Sequence, residues 1–205
     1  KAFKAVDAYI WDTWGNPRWE PTYKKFNKKQ GIPKMGDMLM KGKRKIQDKF
    51  NLRMNFFVDR SGSMDFGQPK RIENACEAMY DIARGLKKNW TNTETIDKVD
   101  FGFYTWGTGA IAQISMGQVP KADDGTDNMD ILIDKIIRGK YMANVNFIIT
   151  DGETEFPESQ MADLLEDSPD MWVIVSISTS SRDIHQNLMS KYKNYAWIPC
   201  SNTFE

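Results

Sequence analysis

Residues 54–64 read Met54-Asn55-Phe56-Phe57-Val58-Asp59-Arg60-Ser61-Gly62-Ser63-Met64. A short, almost continuous apolar run stops abruptly at an aspartate, and hydroxyls then follow at alternating positions. A run too short for a helix and apolar on both of its alternating faces fits a strand covered from two sides, the mark of a parallel sheet in an α/β protein. Gly62 allows the backbone to turn tightly after the strand, and the alternation aims Asp59, Ser61 and Ser63 inward together.

Moving outward, Pro69 is expected to open a helix at the N1 position it favours. Ile72, Ala75, Cys76, Met79, Ile82, Ala83 and Leu86 recur at helical spacing and give that helix one apolar face. A strand is predicted over 99–106, with a hairpin through Thr108-Gly109 into 111–115. A helix over 127–138 and a strand over 144–150 follow, the strand stopping at Asp151-Gly152. Pro157 starts a helix to about 166, and a strand over 172–178, a helix over 182–192 and a closing strand over 196–199 complete the pattern. This alternation predicts an α/β fold with a mainly parallel central sheet of about six strands and helices on both faces.

Residues 1–53 read differently and are taken as an N-terminal extension, with the α/β domain over 54–205. The extension combines Tyr9, Trp11, Trp14, Trp19, Tyr23 and Phe26 with the basic run Lys41-Gly42-Lys43-Arg44-Lys45, and no single period fits it. The formal net charge of the chain is zero, but residues 1–53 hold 14 Lys+Arg against 5 Asp+Glu, so the remainder is acidic by the same margin. The acidic domain should repel phosphates, and nucleic acid is not expected as a partner. The extension reads first as a segment whose aromatics pack on the domain while its lysines stay solvated, second as a partner-binding arm, and last as a nucleic-acid arm.

No apolar run approaches the roughly 18 residues of a membrane-spanning helix, so no membrane partner is expected. Nothing at the start of the chain reads as a secretory signal. Cys76 and Cys200 are too few for a disulfide framework and too isolated for a zinc cluster. A reducing, cytoplasmic setting is the expectation, or a place inside a viral or phage assembly.

Three loops at strand ends carry the chemistry, because an open α/β sheet places its ligand crevice outside the carboxyl edge. Loop one is Asp59 to Met64. Loop two, Asp123-Asp124-Gly125-Thr126-Asp127, offers a hydroxyl just before a helix. Loop three, Thr150-Asp151-Gly152-Glu153, supplies a second carboxylate. All the donors are oxygens, as magnesium prefers; that ion keeps several waters and needs few protein ligands. A cage weighted toward neutral hydroxyls leaves the ion electrophilic toward an incoming carboxylate.

Asp59-x-Ser61-x-Ser63, then Gly125-Thr126, then Thr150-Asp151-Gly152, in that order, resembles the metal-ion-dependent adhesion site (MIDAS) of von Willebrand factor A domains. The resemblance covers about residues 54–199. It implies a Rossmann-like fold and a metal site in which Ser61 and Ser63 ligate directly, Thr126 directly or through water, and Asp59 and Asp151 mainly through water and hydrogen bonds. Mg2+ is the implied ion, with Mn2+ possible. It further implies a non-enzymatic interaction module gripping an Asp or Glu of a partner protein; intracellular members of the family often work beside MoxR-type AAA+ ATPases or within larger assemblies. One departure is visible: the family often has Gly-Gly-Thr in loop two, whereas Asp124 precedes Gly125-Thr126 here. Asp123 and Asp124 could draw in the metal or satisfy the site from within. Asp65, Glu153 and Glu155 read first as solvated loop acids.

Enzymatic readings find less support. The sole histidine, His185, lies in an amphipathic helix and is expected at the surface, with no G-x-S-x-G elbow upstream. Neither an H-E-x-x-H pair nor a G-x-x-x-x-G-K-[ST] loop is present. A Mg2+-dependent phosphohydrolase remains as a lesser alternative, with Arg60 the chief candidate to clamp a phosphate. A structural assembly subunit working through the N-terminal extension, the metal serving only stability, is the other.

Overall fold

The computed structural model describes residues 50–90, 96–125, 128–152, 155–176 and 181–200. The expectations for residues 1–49, Thr126, Asp127, Glu153 and the end of the strand read over 172–178 lie outside these residues.

Six strands form one sheet in the order β3-β2-β1-β4-β5-β6: β1 (Phe50–Asp59), β2 (Ile96–Trp106), β3 (Ala112–Gln113), β4 (Val145–Thr150), β5 (Met171–Ser176) and β6 (Tyr195–Pro199). All neighbouring pairs run parallel except β2 and β3, which form the expected hairpin. Among the described residues four helices alternate with them: α1 (Arg71–Trp90), α2 (Met129–Arg138), α3 (Glu158–Asp167) and α4 (Arg182–Lys191). The α/β class read from the sequence is the class observed.

Helices cover both faces, and strand alternation decides which side chain meets which. Leu52, Met54, Phe56 and Val58 of β1 pack with Ile72, Cys76, Met79 and Leu86 of α1. Phe57 points to the other face and joins residues of α2, α3 and α4, among them Leu132, Ile136, Met161 and Leu188. Rings stack across the central strands, Phe56 on Phe147 with centroids 4.5 Å apart and Phe57 on Tyr104 at 5.2 Å. No helix among the described residues is long and apolar enough to cross a membrane.

Some expected boundaries shift. β1 begins at Phe50, so a domain start at residue 54 falls within a strand; Asn51 and Arg53 are exposed while Leu52 and Met54 are buried, the period-two alternation of a half-buried strand. α1 begins at Arg71, after a turn containing Pro69, because Glu73 reaches back to the Lys70 N–H at 3.0 Å and caps the helix there. α2 ends in a Schellman pattern. Tyr141 N–H donates to Ile136 O at 3.0 Å, Lys140 N–H to Ile137 O at 3.2 Å, and Lys140 takes the left-handed conformation at φ 56°.

The chain leaves β1 for β2 on one side, then returns to place β4 on the other side of β1. α1, which follows β1, and α3, which follows β4, therefore lie on opposite faces. Their diverging connections open a crevice at the carboxyl ends of β1 and β4, the switch point where such sheets place ligands.

Candidate functional site

Asp59 ends β1 in that crevice and is fully buried. Its Oδ1 accepts the backbone N–H of Ser61 at 2.8 Å, which folds the loop back over the carboxylate, and its Oδ2 accepts the Thr150 hydroxyl at 2.9 Å. Loops one and three are thereby tied through a single side chain. Burial pushes the Asp59 pKa up, the Ser61 and Thr150 hydrogen bonds oppose the shift, and the charge of Asp151 adds to it. The crevice thus concentrates negative charge in poorly solvated surroundings, where a cation would relieve it.

After Ser61 the chain enters a short 3-10 turn, Gly62–Asp65, pinned by the buried side chain of Met64. The turn brings Ser63 back beside Ser61, with the two Oγ atoms 3.0 Å apart. Ser61 is buried and Ser63 half-buried, so the hydroxyl pair lies between the sheet edge and solvent.

Loop two is zipped to loop one by backbone. Ser61 and Asp124 form a parallel bridge, Gly62 N–H donating to Asp124 O at 3.0 Å and Asp124 N–H to Arg60 O at 3.2 Å. The Asp124 carboxylate resolves the departure in loop two. Its Oδ2 accepts from Arg60 Nε at 2.9 Å and Nη2 at 2.8 Å, and its Oδ1 from the Thr108 hydroxyl at 2.7 Å and the Gly125 N–H at 2.9 Å. Four donors occupy the roughly four lone-pair positions of a carboxylate, so Asp124 clasps the loops and keeps nothing for an ion. The Thr108 hydroxyl, and then Arg60, hold its pKa down at about 2. The fit is close: a Cβ on Gly107 would stand 2.6 Å from Asp124 Oδ2, and one on Gly125 would stand 2.7 Å from Thr108 Cγ2. Asp123 is exposed. Gly125 leads directly into Thr126, which lies outside the described residues.

In loop three, Thr150 and Asp151 are buried, and Gly152 turns the chain at φ 79° with its N–H on the Thr150 hydroxyl at 3.1 Å. Asp151 receives a cation that the sequence reading did not single out. Arg71, in the first turn of α1, places Nη1 3.5 Å from Asp151 Oδ2 and 3.3 Å from Ser63 O. A basic side chain at a helix N-terminus opposes the helix dipole, and that local conflict was the one available signal that a carboxylate stood nearby.

Four of the five residues singled out for metal binding, Asp59, Ser61, Ser63 and Asp151, thus lie on neighbouring loops at one end of the sheet. Among the described residues no three or more His, Cys, Asp or Glu side chains group as a metal cluster, so any ion here would depend on hydroxyls. Asp65 is exposed and pairs with Lys70 at 2.7 Å, a surface ion pair of small energetic weight, and Glu155 is exposed as expected.

The expectation of a surface histidine is corrected. His185 is buried on the inner face of α4, its Nδ1 2.6 Å from the Tyr195 hydroxyl and its ring against Phe156 and Trp197. Burial lowers its pKa to about 4. An imidazole can occupy a core position when a partner satisfies it, and Tyr195 on β6 is that partner.

No protein-family model matches the chain, and no curated protein matches it. Solved structures do. Proximal thread matrix protein 1 from the mussel byssus, in a form with a zinc-occupied MIDAS motif, superposes with a TM-score of 0.51 at 14% identity over 78% of this chain. A second structure of the same mussel protein gives a TM-score of 0.49 at 14% identity over 76% of this chain. This chain spans less than half of that protein, 44% and 43% in the two comparisons. At such identity the likeness is one of fold. The architecture is that of a von Willebrand factor A-like domain: a six-stranded, mostly parallel sheet with helices on both faces.

Proposed function

We propose that this chain is a non-enzymatic interaction module that grips an Asp or Glu of a partner protein through a divalent cation held by Asp59, Ser61, Ser63, Thr126 and Asp151. The observation that carries the reading is the Ser61–Ser63 hydroxyl pair, 3.0 Å apart beside the buried carboxylate of Asp59. Two oxygens bound at about 2.1 Å and at right angles to one another on an octahedral ion stand about 3.0 Å apart, so the pair fits Mg2+ or Mn2+. Ser61 and Ser63 would hold the ion directly, Thr126 directly or through water, and Asp59 and Asp151 through water. When bound, the ion supplies a Lewis-acidic position to which an outside carboxylate coordinates. The mussel protein carries zinc in its MIDAS motif. The all-oxygen, hydroxyl-rich set here favours the harder magnesium or manganese.

The clasped loops support the same reading. Arg60, the candidate phosphate clamp of a phosphohydrolase, already holds Asp124 with its Nε and Nη2, and His185 is locked in the core. The imidazole is not free for phosphoryl chemistry. A cytoplasmic setting is supported by two free thiols, Cys76 and Cys200. A MoxR-type ATPase or a larger assembly presenting an acidic side chain is the partner class this reading implies.

The test is capture of an Asp-containing peptide by the full chain in Mg2+, in chelator, and in Ser61→Ala. Capture lost in chelator and in the variant, with the melting temperature changed only by the ion's own binding free energy, supports the module. Capture that persists in chelator contradicts it and favours an assembly subunit working through residues 1–53.

A further inference from the structure

Two cations border the crevice, and they are used differently. Arg60 holds loop two: its Nε and Nη2 both lie on one oxygen of Asp124, and its side chain is 35% exposed. Arg71 contributes only Nη1, at 3.3 Å to Ser63 O and 3.5 Å to Asp151 Oδ2. Its Nε and Nη2 make no hydrogen bond among the described residues, and its side chain is 27% exposed while that of Asp151 is 2% exposed. One end of a planar five-donor group is therefore held between Ser63 and Asp151, and the Nε and Nη2 donors of a partly exposed side chain are left over for an anion.

On the reading of the site as a cation-dependent carboxylate grip, we propose that Arg71 is its specificity-determining residue, a permanent second contact for the partner's carboxylate that also weakens the site's hold on the cation. The two effects share one cause. A guanidinium beside Asp151 offsets part of the negative charge that draws in a divalent ion, so the ion binds less tightly. The same positive charge attracts an anion, and its N–H groups bond planar oxyanions with a directionality that lysine lacks. Loop one and loop three supply the carboxylates and hydroxyls for the ion, while α1 supplies the selectivity for what the ion then holds. A partner acid is thereby preferred over a neutral oxygen donor such as an amide.

The experiment uses the full chain as wild type, Arg71→Met and Arg71→Lys, with Mn2+ as the cation probe and acetate as the carboxylate probe. Mn2+ affinity is read by electron paramagnetic resonance, and acetate affinity for the loaded protein by paramagnetic relaxation of the methyl protons, with acetamide as the neutral control. Arg71→Met is expected to bind Mn2+ several-fold to about tenfold tighter and acetate several-fold weaker, with acetamide unaffected. Arg71→Lys keeps the charge and loses the fork, so its Mn2+ affinity stays near wild type while acetate binding falls part of the way. Circular dichroism melts confirm that each variant is folded, and Arg71→Lys carries the test if Arg71→Met is not. Unchanged Mn2+ and acetate affinities, or tighter Mn2+ with unchanged acetate, overturn the assignment of Arg71 alone. Failure of the wild type to bind Mn2+ at all overturns the metal-dependent reading and this inference with it.

Discussion

Arg60 grips the carboxylate of Asp124 with both Nε and Nη2, 2.9 and 2.8 Å from the same oxygen, although 64 residues separate the two in sequence. The pair closes a clasp that Thr108, Gly125 and the Ser61–Asp124 bridge complete, and it is why loops one and two keep a fixed spacing. In a double-mutant cycle of Arg60→Gln and Asp124→Asn, the two losses should be non-additive by about 1 kcal/mol at low salt and less at about 1 M salt. Chemical denaturation of the four proteins measures this. Additive losses would mean that the backbone bridge alone sets the spacing.

His185 predicts an acid limb of stability. Its folded pKa is lowered by burial from 6.5 to about 4, so the folded state binds fewer protons than the unfolded state between those values. The contribution is fully present above pH 6.5 and is lost as pH falls toward about 4, at up to about 1.4 kcal/mol per pH unit. Denaturation of wild type and His185→Phe across this window should show a shallower slope in the variant. The imidazole proton resonances should not titrate above about pH 5. A midpoint near 6.5 would contradict the buried placement.

Lys140 holds the left-handed C′ position of α2 with an exposed side chain. Glycine adopts that conformation without the steric cost a side chain meets there, so Lys140→Gly should raise stability by about 0.5 to 1 kcal/mol despite its greater unfolded-state entropy. Thermal denaturation checks it, and a fall in stability would contradict the Schellman assignment.

The sheet was legible because its central strands are buried on both faces. Met54 to Val58 is apolar but for the buried Asn55, and Phe147 to Ile149 is apolar throughout, a signal that depends only on local composition. The loop hydroxyls and carboxylates were legible for the same local reason, since each sits where an apolar run stops. The first residues of β1 alternate apolar and polar from Phe50 to Met54, itself a local strand signal. What escaped depends on distant partners. Asp124 read either as drawing in the metal or as satisfying the site from within until Arg60 and Thr108 stood opposite it. Arg71 was not singled out, because its partner Asp151 lies 80 residues on. His185 read as surface because Tyr195 becomes its partner only when α4 packs on β6.

The most direct measurement of the central claim is a Mn2+ titration of the full chain, followed by electron paramagnetic resonance, for wild type, Ser61→Ala and Ser63→Ala. Near-stoichiometric binding of one ion by wild type, weakened by about tenfold or more in each variant with melting curves of the ion-free proteins alike, is what the hydroxyl pair predicts. Wild-type protein that takes up no Mn2+, or variants that bind it as wild type does, would contradict it.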